Sequence, residues 1–353
     1  RRRGKPQKFR RKHFLIAKNH ARDNLKTVNN YKHSPNPFEK ISGQMSALFR
    51  EFGDFLTAQA GTFEKEVRCA AREAIAPRGK FIRPILVFAA AHAAPEKGES
   101  LIRRAAIVEL THLSTLIHDD VIDGAQIRRN AETANKKYGA KTAILLGDAI
   151  FAHTMELAVE ENDVDTSRRT ALCVKTICEG EIRQTLADKS VRVTRERYYE
   201  IAFGKTAALF SLACALGAKS VAGLDGWIAA AEEAGKHLGI AYQIYDDLCD
   251  WFMSEKDAGK TLGTDLVSGK QTFPLIALFE TMDSERADGF AKNLSSQNPE
   301  EIIGMMKSSG VEKICAEEME RRIGLAEKAL GKFPGASDKL LEFCAAMREL
   351  ALV

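Results

Sequence analysis

Apolar residues recur three and four positions apart through most of the chain. Ile107, Leu110, Leu113, Leu116 and Ile117 share one helical face, as do Ile228, Ala231, Ala234, Leu238 and Ala241. This is the spacing of helices that cover a core. Glycine and proline punctuate the runs at Pro77, Pro95, Gly124, Gly139, Gly223 and Gly259, where the chain is expected to turn. Strand-like alternation is confined to "SVRVT" (190–194), after which Thr194 is placed to N-cap the helix "RERYYEIAFGKTAALFSLACALGA". The pattern predicts an all-α fold. The longest uninterrupted apolar run, "TAALFSLACALGA" at 206–218, is bounded by Lys205 and Lys219. It falls short of the roughly 18 residues of a membrane span and reads as a buried helix.

"HSPNPF" at 33–38 carries two prolines that disfavour helix in the residues before them. It separates a tail, 1–37, from a single domain running from Phe38 to the end. Residues 1–37 hold twelve Lys and Arg against Asp23, a net +11 in a chain of net +4, so everything after them is net −7. The basic character therefore belongs to the tail. Without interleaved aromatics it reads as a solvated segment with no specific nucleic-acid role, although peripheral contact with an anionic membrane stays open. No signal-peptide apolar region stands in it. Seven cysteines are scattered without a CxxC pair, which suggests neither a disulfide framework nor a zinc ribbon and fits a reducing, cytoplasmic setting. Cys173 and Cys178 read as small buried hydrophobes.

Two acidic motifs interrupt the apolar pattern: "HDDVID" at 118–123 and "YDDLCD" at 245–250. In each, the aspartates stand at i, i+1 and i+4. On a helix the first and third share a face and the second lies about 100° round. Three carboxylates in one turn repel, so a cation is expected beside them. Their hard oxygen ligands suit Mg²⁺, which typically bridges to substrate phosphates. A solvated acidic face is the alternative for one triplet. Two triplets, each preceded by apolar sequence ("LSTLIH" and "GIAYQIY"), weaken it. Lys80, Arg83, Arg128, Arg129 and Lys205 likewise interrupt apolar runs. Charges in such positions are rarely buried unpaired, and Arg and Lys match phosphate oxygens. Aspartates with Mg²⁺ and a ring of cations describe a diphosphate site.

Seven motifs in order carry a resemblance: "GKFIRP", "ELTHLSTLIHDDVIDGAQIRR", "LLGD", "CEGEIRQ", "GKT", "GIAYQIYDDLCD" and "GKTLGTDLVSGKQTFP". From about Phe38 onward the chain resembles the trans-isoprenyl diphosphate synthases, or polyprenyl synthetases. The resemblance implies an antiparallel helix bundle around a central cavity, usually dimeric, with the two Asp-rich helices facing each other. It implies that Asp119, Asp120, Asp123, Asp246 and Asp247, supported by Asp250, hold Mg²⁺ on the diphosphate of an allylic primer such as farnesyl or geranylgeranyl diphosphate. Arg128, Lys205 and Lys260 would be cationic partners of that diphosphate, joined by Thr206, Gln243 and Lys270. Isopentenyl diphosphate, the extender, would meet Lys80, Arg83, His112 and Arg129.

In such enzymes a bulky side chain one turn before the first triplet closes the product tunnel. Here those positions are Ser114 and Thr115, with Thr111 and Val108 a turn further back. The absence of an aromatic plug on this wall implies a medium- or long-chain product, with Phe151 or Met155 able to close the floor instead. The alternatives are a short-chain farnesyl or geranylgeranyl synthase, or a partner-dependent subunit of a heteromeric synthase.

Overall fold

The computed structural model describes residues 37–76, 79–94, 98–128, 131–186, 191–253 and 269–351. Residues 1–36 of the tail, Arg129 and Lys260 lie outside them. Helices α1 (Glu39–Gln44), α2 (Ser46–Gln59), α3 (Lys65–Ile75), α4 (Ile82–Ala90) and α5 (Glu99–Ile122) come first. A two-residue hairpin, β1 (Ile127–Arg128) against β2 (Ala131–Glu132), leads to α6 (Ala134–Tyr138), α7 (Ala140–Glu160) and α8 (Val164–Leu186). Then come α9 (Arg195–Ala202), a π-helical turn (Phe203–Ala207), α10 (Ala208–Ala218) and α11 (Trp227–Phe252). The described chain closes with α12 (Phe273–Glu280), α13 (Ser284–Lys292), α14 (Pro299–Ser308), α15 (Val311–Leu330) and α16 (Asp338–Ala351). The all-α expectation holds; the hairpin, too short to alternate, left no trace in the sequence pattern.

Helix boundaries follow local chemistry. Thr194 caps α9, its side chain accepting from the Arg197 amide at 3.2 Å, as the sequence predicted. Gly124, Gly139 and Gly223 all take positive φ at the turns expected there. "SVRVT" forms no strand in its described residues, 191–194.

Every residue of α10 is buried, packed between α4 and α11. By length and composition two helices, α7 and the continuous run Arg195–Ala218, are apolar enough to cross a membrane. Counting uninterrupted runs had missed α7, whereas it had marked 206–218, within the second, and read it as a buried helix. Burial inside the bundle accounts for the second, whose apolar window is 89% packed within the fold.

The core divides in two. One cluster joins α2, α4, α5, α7, α10 and α16, and the other gathers α9, α12, α14 and the start of α15. α11 belongs to both, its first half carrying Trp227, Ala231 and Leu238 in the one and its second half Ile244 and Trp251 in the other. The second acidic motif falls in that second half.

Candidate active site

A cavity of about 270 Å³ opens between α5, α8, the π-turn, α10 and α11, with Arg83 reaching in from the first turn of α4. Its lining includes Asp119 and Asp123 from α5 and the residue after it, and Asp246 and Asp250 from α11. Arg83, His112, Thr115, Arg128, Lys205, Thr206 and Gln243 complete the polar wall, while Leu116, Ile177, Leu209 and Tyr242 form apolar surface. The first and third aspartates of both triplets thus face one space, as the i, i+4 spacing requires.

The middle aspartates turn away. Asp120, 5% exposed, accepts from Arg128 Nε at 2.7 Å. Asp247, 4% exposed, accepts from Tyr198 Oη at 2.7 Å, Gln243 Nε2 at 2.7 Å and the Phe273 amide at 3.2 Å. Gln243 in turn accepts from Thr206 Oγ1 at 2.5 Å. The sequence had grouped all five leading aspartates as ligands of equal standing. Geometry separates those at the cavity wall from those held by protein groups behind it.

Electrostatics single out Asp119. Burial pushes its carboxyl up to about 6; Lys205 and Arg128 pull the other way, and Glu181 and Asp123 add to the rise. Burial also raises Asp120, against the pull of Arg128. Lys270 pairs with Asp123, Nζ to Oδ1 at 3.2 Å. His118 points to α7, where Nε2 lies 3.1 Å from the Ile144 carbonyl oxygen and 3.3 Å from Asp148. Among the described residues no three acidic, His or Cys side chains stand close enough together to hold a metal ion.

Other predicted residues divide. Arg83 stacks its guanidinium 5.4 Å from the Phe210 ring centre, but Lys80 is exposed and lines a different groove with Ser46, Phe49 and Phe52. The reason lies between them: Phe81 takes φ +47° and packs edge-on to Phe52 at 5.5 Å, which turns the chain sharply before α4. Thr115 is on the cavity wall. Ser114 instead donates to the Gly147 carbonyl of α7 at 3.0 Å, and Thr111 to the Ile107 carbonyl at 2.8 Å, both side chains buried. Phe151 and Met155 are half-buried on α7. Cys173 is buried as expected, whereas Cys178 is exposed. Tyr198 was not anticipated; nothing in its local sequence marks it as the partner of a carboxylate 49 residues on.

Residues 64–307 match the sequence profile of the polyprenyl synthetase family. The chain belongs to that family. It is 32% identical over 269 residues to an all-trans-nonaprenyl-diphosphate synthase (geranyl-diphosphate specific) of Rhodobacter capsulatus, covering 74% of this chain and 82% of that one. It is also 35% identical over 253 residues to the geranylgeranyl diphosphate synthase of Mycobacterium tuberculosis, covering 68% and 72%. Among solved structures, a polyprenyl synthase from Caulobacter crescentus CB15, complexed with calcium and isoprenyl diphosphate, superposes with a TM-score of 0.80. It is 29% identical, with 90% of this chain and 97% of that one covered. This polyprenyl synthetase is therefore a prenyltransferase of isoprenoid biosynthesis with the all-α fold of its relatives.

Proposed function

We propose that the chain condenses isopentenyl diphosphate with an allylic diphosphate, farnesyl or geranylgeranyl, to give a medium- or long-chain all-trans polyprenyl diphosphate. The observation that carries this reading is one cavity with four carboxylates on two helices and Arg83, Arg128 and Lys205 around them. An oxygen-only donor set suits Mg²⁺. The raised Asp119 carboxyl supports it too, because a nearby cation would relieve a charge that burial disfavours.

Asp119 with Asp123, and Asp246 with Asp250, would hold Mg²⁺ ions as two separate pairs rather than as one cluster, and Mg²⁺ when bound supplies Lewis-acid neutralisation of a leaving diphosphate. Arg128 and Lys205 orient the allylic diphosphate in the cavity, while Arg83 and His112 take the extender on its other side. Arg129 and Lys260, outside the described residues, are proposed for the same two diphosphates from their positions in the motifs. Leu116, Ile177 and Leu209 keep water from the allylic cation that forms as the C–O bond breaks, before the isopentenyl double bond attacks it. The proton lost in closing the new double bond goes to the departing diphosphate.

Two further parts of the reading concern assembly and the tail. Ile144 and Leu145 on α7, and Leu172 and Ile182 on α8, are exposed, an apolar face that suits a second copy of the chain. Size-exclusion chromatography should then give about twice 38.9 kDa; a monomer of full activity would remove the dimer. Residues 1–37 are read as a non-catalytic appendage to the domain 38–353.

The test is incubation of the purified chain with Mg²⁺, labelled isopentenyl diphosphate and either primer. A product ladder reaching about six to ten isoprene units is expected, by analogy with relatives of this fold. A stop at the fourth unit from the farnesyl primer would place the chain with the short-chain synthases, and no product from either primer without an added subunit would refute the homomeric reading.

Product length has its own mutation. Because Thr115 faces the cavity and Ser114 packs on α7, Thr115→Phe is expected to shorten the product, read by chromatography of the dephosphorylated alcohols. Ser114→Phe, the other candidate from sequence, would press on the Gly147 carbonyl and lower stability as well. An unchanged ladder for Thr115→Phe would move the limiting wall elsewhere.

A further inference from the structure

We propose that Tyr198 is a positioning residue for the second acidic motif, acting through Asp247 to hold Asp246 and Asp250 at the cavity. This rests on the site assignment above. Tyr198, 4% exposed, lies in the core behind α11 and donates to Asp247 Oδ2 at 2.7 Å. Asp247 is as deeply buried and is not part of the cavity wall, yet its neighbours at −1 and +3 are. A carboxylate out of reach of substrate, bonded by a phenol, an amide side chain and a backbone N–H, fixes the rotation of the helix that carries it.

The same chain segment delivers both ends of the network. Tyr198 meets Asp247, and Thr206, eight residues later, meets Gln243 one turn earlier on α11. In an unbroken α-helix, residues eight apart point about 80° apart. The π-turn at Phe203–Ala207 takes up an extra residue and brings both side chains to the one face of α11. Lys205, between them, is left on the cavity wall.

Close packing pins the π-turn in place. A Cβ on Gly204 would stand 3.0 Å from the Gly180 Cα of α8, so the two backbones cross in contact. The network is also insensitive to working pH at its donor, since burial and Asp247 hold the Tyr198 phenol well above its usual range. Groups that orient ligands in this way typically contribute 10–100-fold to metal affinity or activity.

The test is Tyr198→Phe, with Mn²⁺ and inorganic pyrophosphate as the probe, followed by electron paramagnetic resonance and calorimetry. Mn²⁺ binding should weaken roughly 10–100-fold, and the metal concentration for half-maximal turnover should rise in step. The KM for isopentenyl diphosphate at saturating metal should stay within about twofold. In an Asp247→Asn background the Tyr198 change should add nothing further, because the hydroxyl acts through that carboxylate. Unchanged Mn²⁺ affinity, or full additivity with Asp247→Asn, would overturn the proposal. Should Tyr198→Phe unfold, Asp247→Asn alone must show the same metal defect for the proposal to stand. Asp246→Asn separates the two levels: if it too binds Mn²⁺ normally, the site assignment fails; if it does not while Tyr198→Phe does, only the positioning role fails.

Discussion

Asp246→Ala and Asp119→Ala should each lower turnover by roughly 10³-fold, the rate equivalent of about 4 kcal/mol of lost charge stabilisation at the leaving diphosphate. Their folds should stay intact, since both side chains line a cavity rather than fill the core. For Asp119 the stability effect has a definite sign. Its carboxyl is raised from 3.8 to about 6 by burial first, so the folded chain holds a proton there that the unfolded chain has released. In metal-free protein, stability from this group is therefore lost as pH rises from about 4 to about 6. The alanine variant escapes that loss, and its thermal midpoint in a chelator should match or exceed the parent's above pH 6. Wild-type turnover in both variants would refute the site assignment; a large drop in midpoint for Asp119→Ala at pH 7.5 would refute the electrostatic account.

The all-α fold and the two acidic helices were legible because both signals are local. Apolar spacing of three and four residues, and aspartates at i and i+4, require only one helix to be right. The same geometry already set Asp120 and Asp247 off the shared face. What it could not supply were their partners. Arg128 reaches back to Asp120 of α5 from the first strand of the β1–β2 hairpin, and Tyr198 reaches Asp247 from α9, just ahead of the π-turn.

That turn depends on Gly204 meeting Gly180, a contact between two glycines 24 residues apart that no periodicity encodes. Lys80 and Arg83 show the converse failure. Three residues apart, they look like one-face neighbours, but the left-handed Phe81 between them sends Lys80 to another groove. Likewise Ser114 and Thr115 were interchangeable as a tunnel wall until the position of α7 separated them.

Gly239→Val should destabilise the fold by about 3–5 kcal/mol, since the mutation forces bulk into a backbone contact rather than a side-chain gap. A Cβ there would lie 2.4 Å from the Ala207 Cα and 2.7 Å from its Cβ, so neither helix can yield without moving the other. Ala207 is the residue after Thr206, which hydrogen-bonds Gln243, and Gly239 is one turn before Gln243 on α11. Separating the helices at this point therefore pulls Thr206 from Gln243 and, through it, loosens Asp247. Gly239→Ala brings the same Cβ against the Ala207 backbone, so it should also destabilise the fold, by less than valine, and raise the metal requirement of turnover in the protein that stays folded, linking packing to chemistry at one position. Gly43→Ala is the control, because a Cβ there meets nothing within 4 Å. Denaturant unfolding checks the ordering: a Gly239→Val midpoint equal to that of Gly43→Ala would mean that the approach of α11 to the π-turn does not hold the site together.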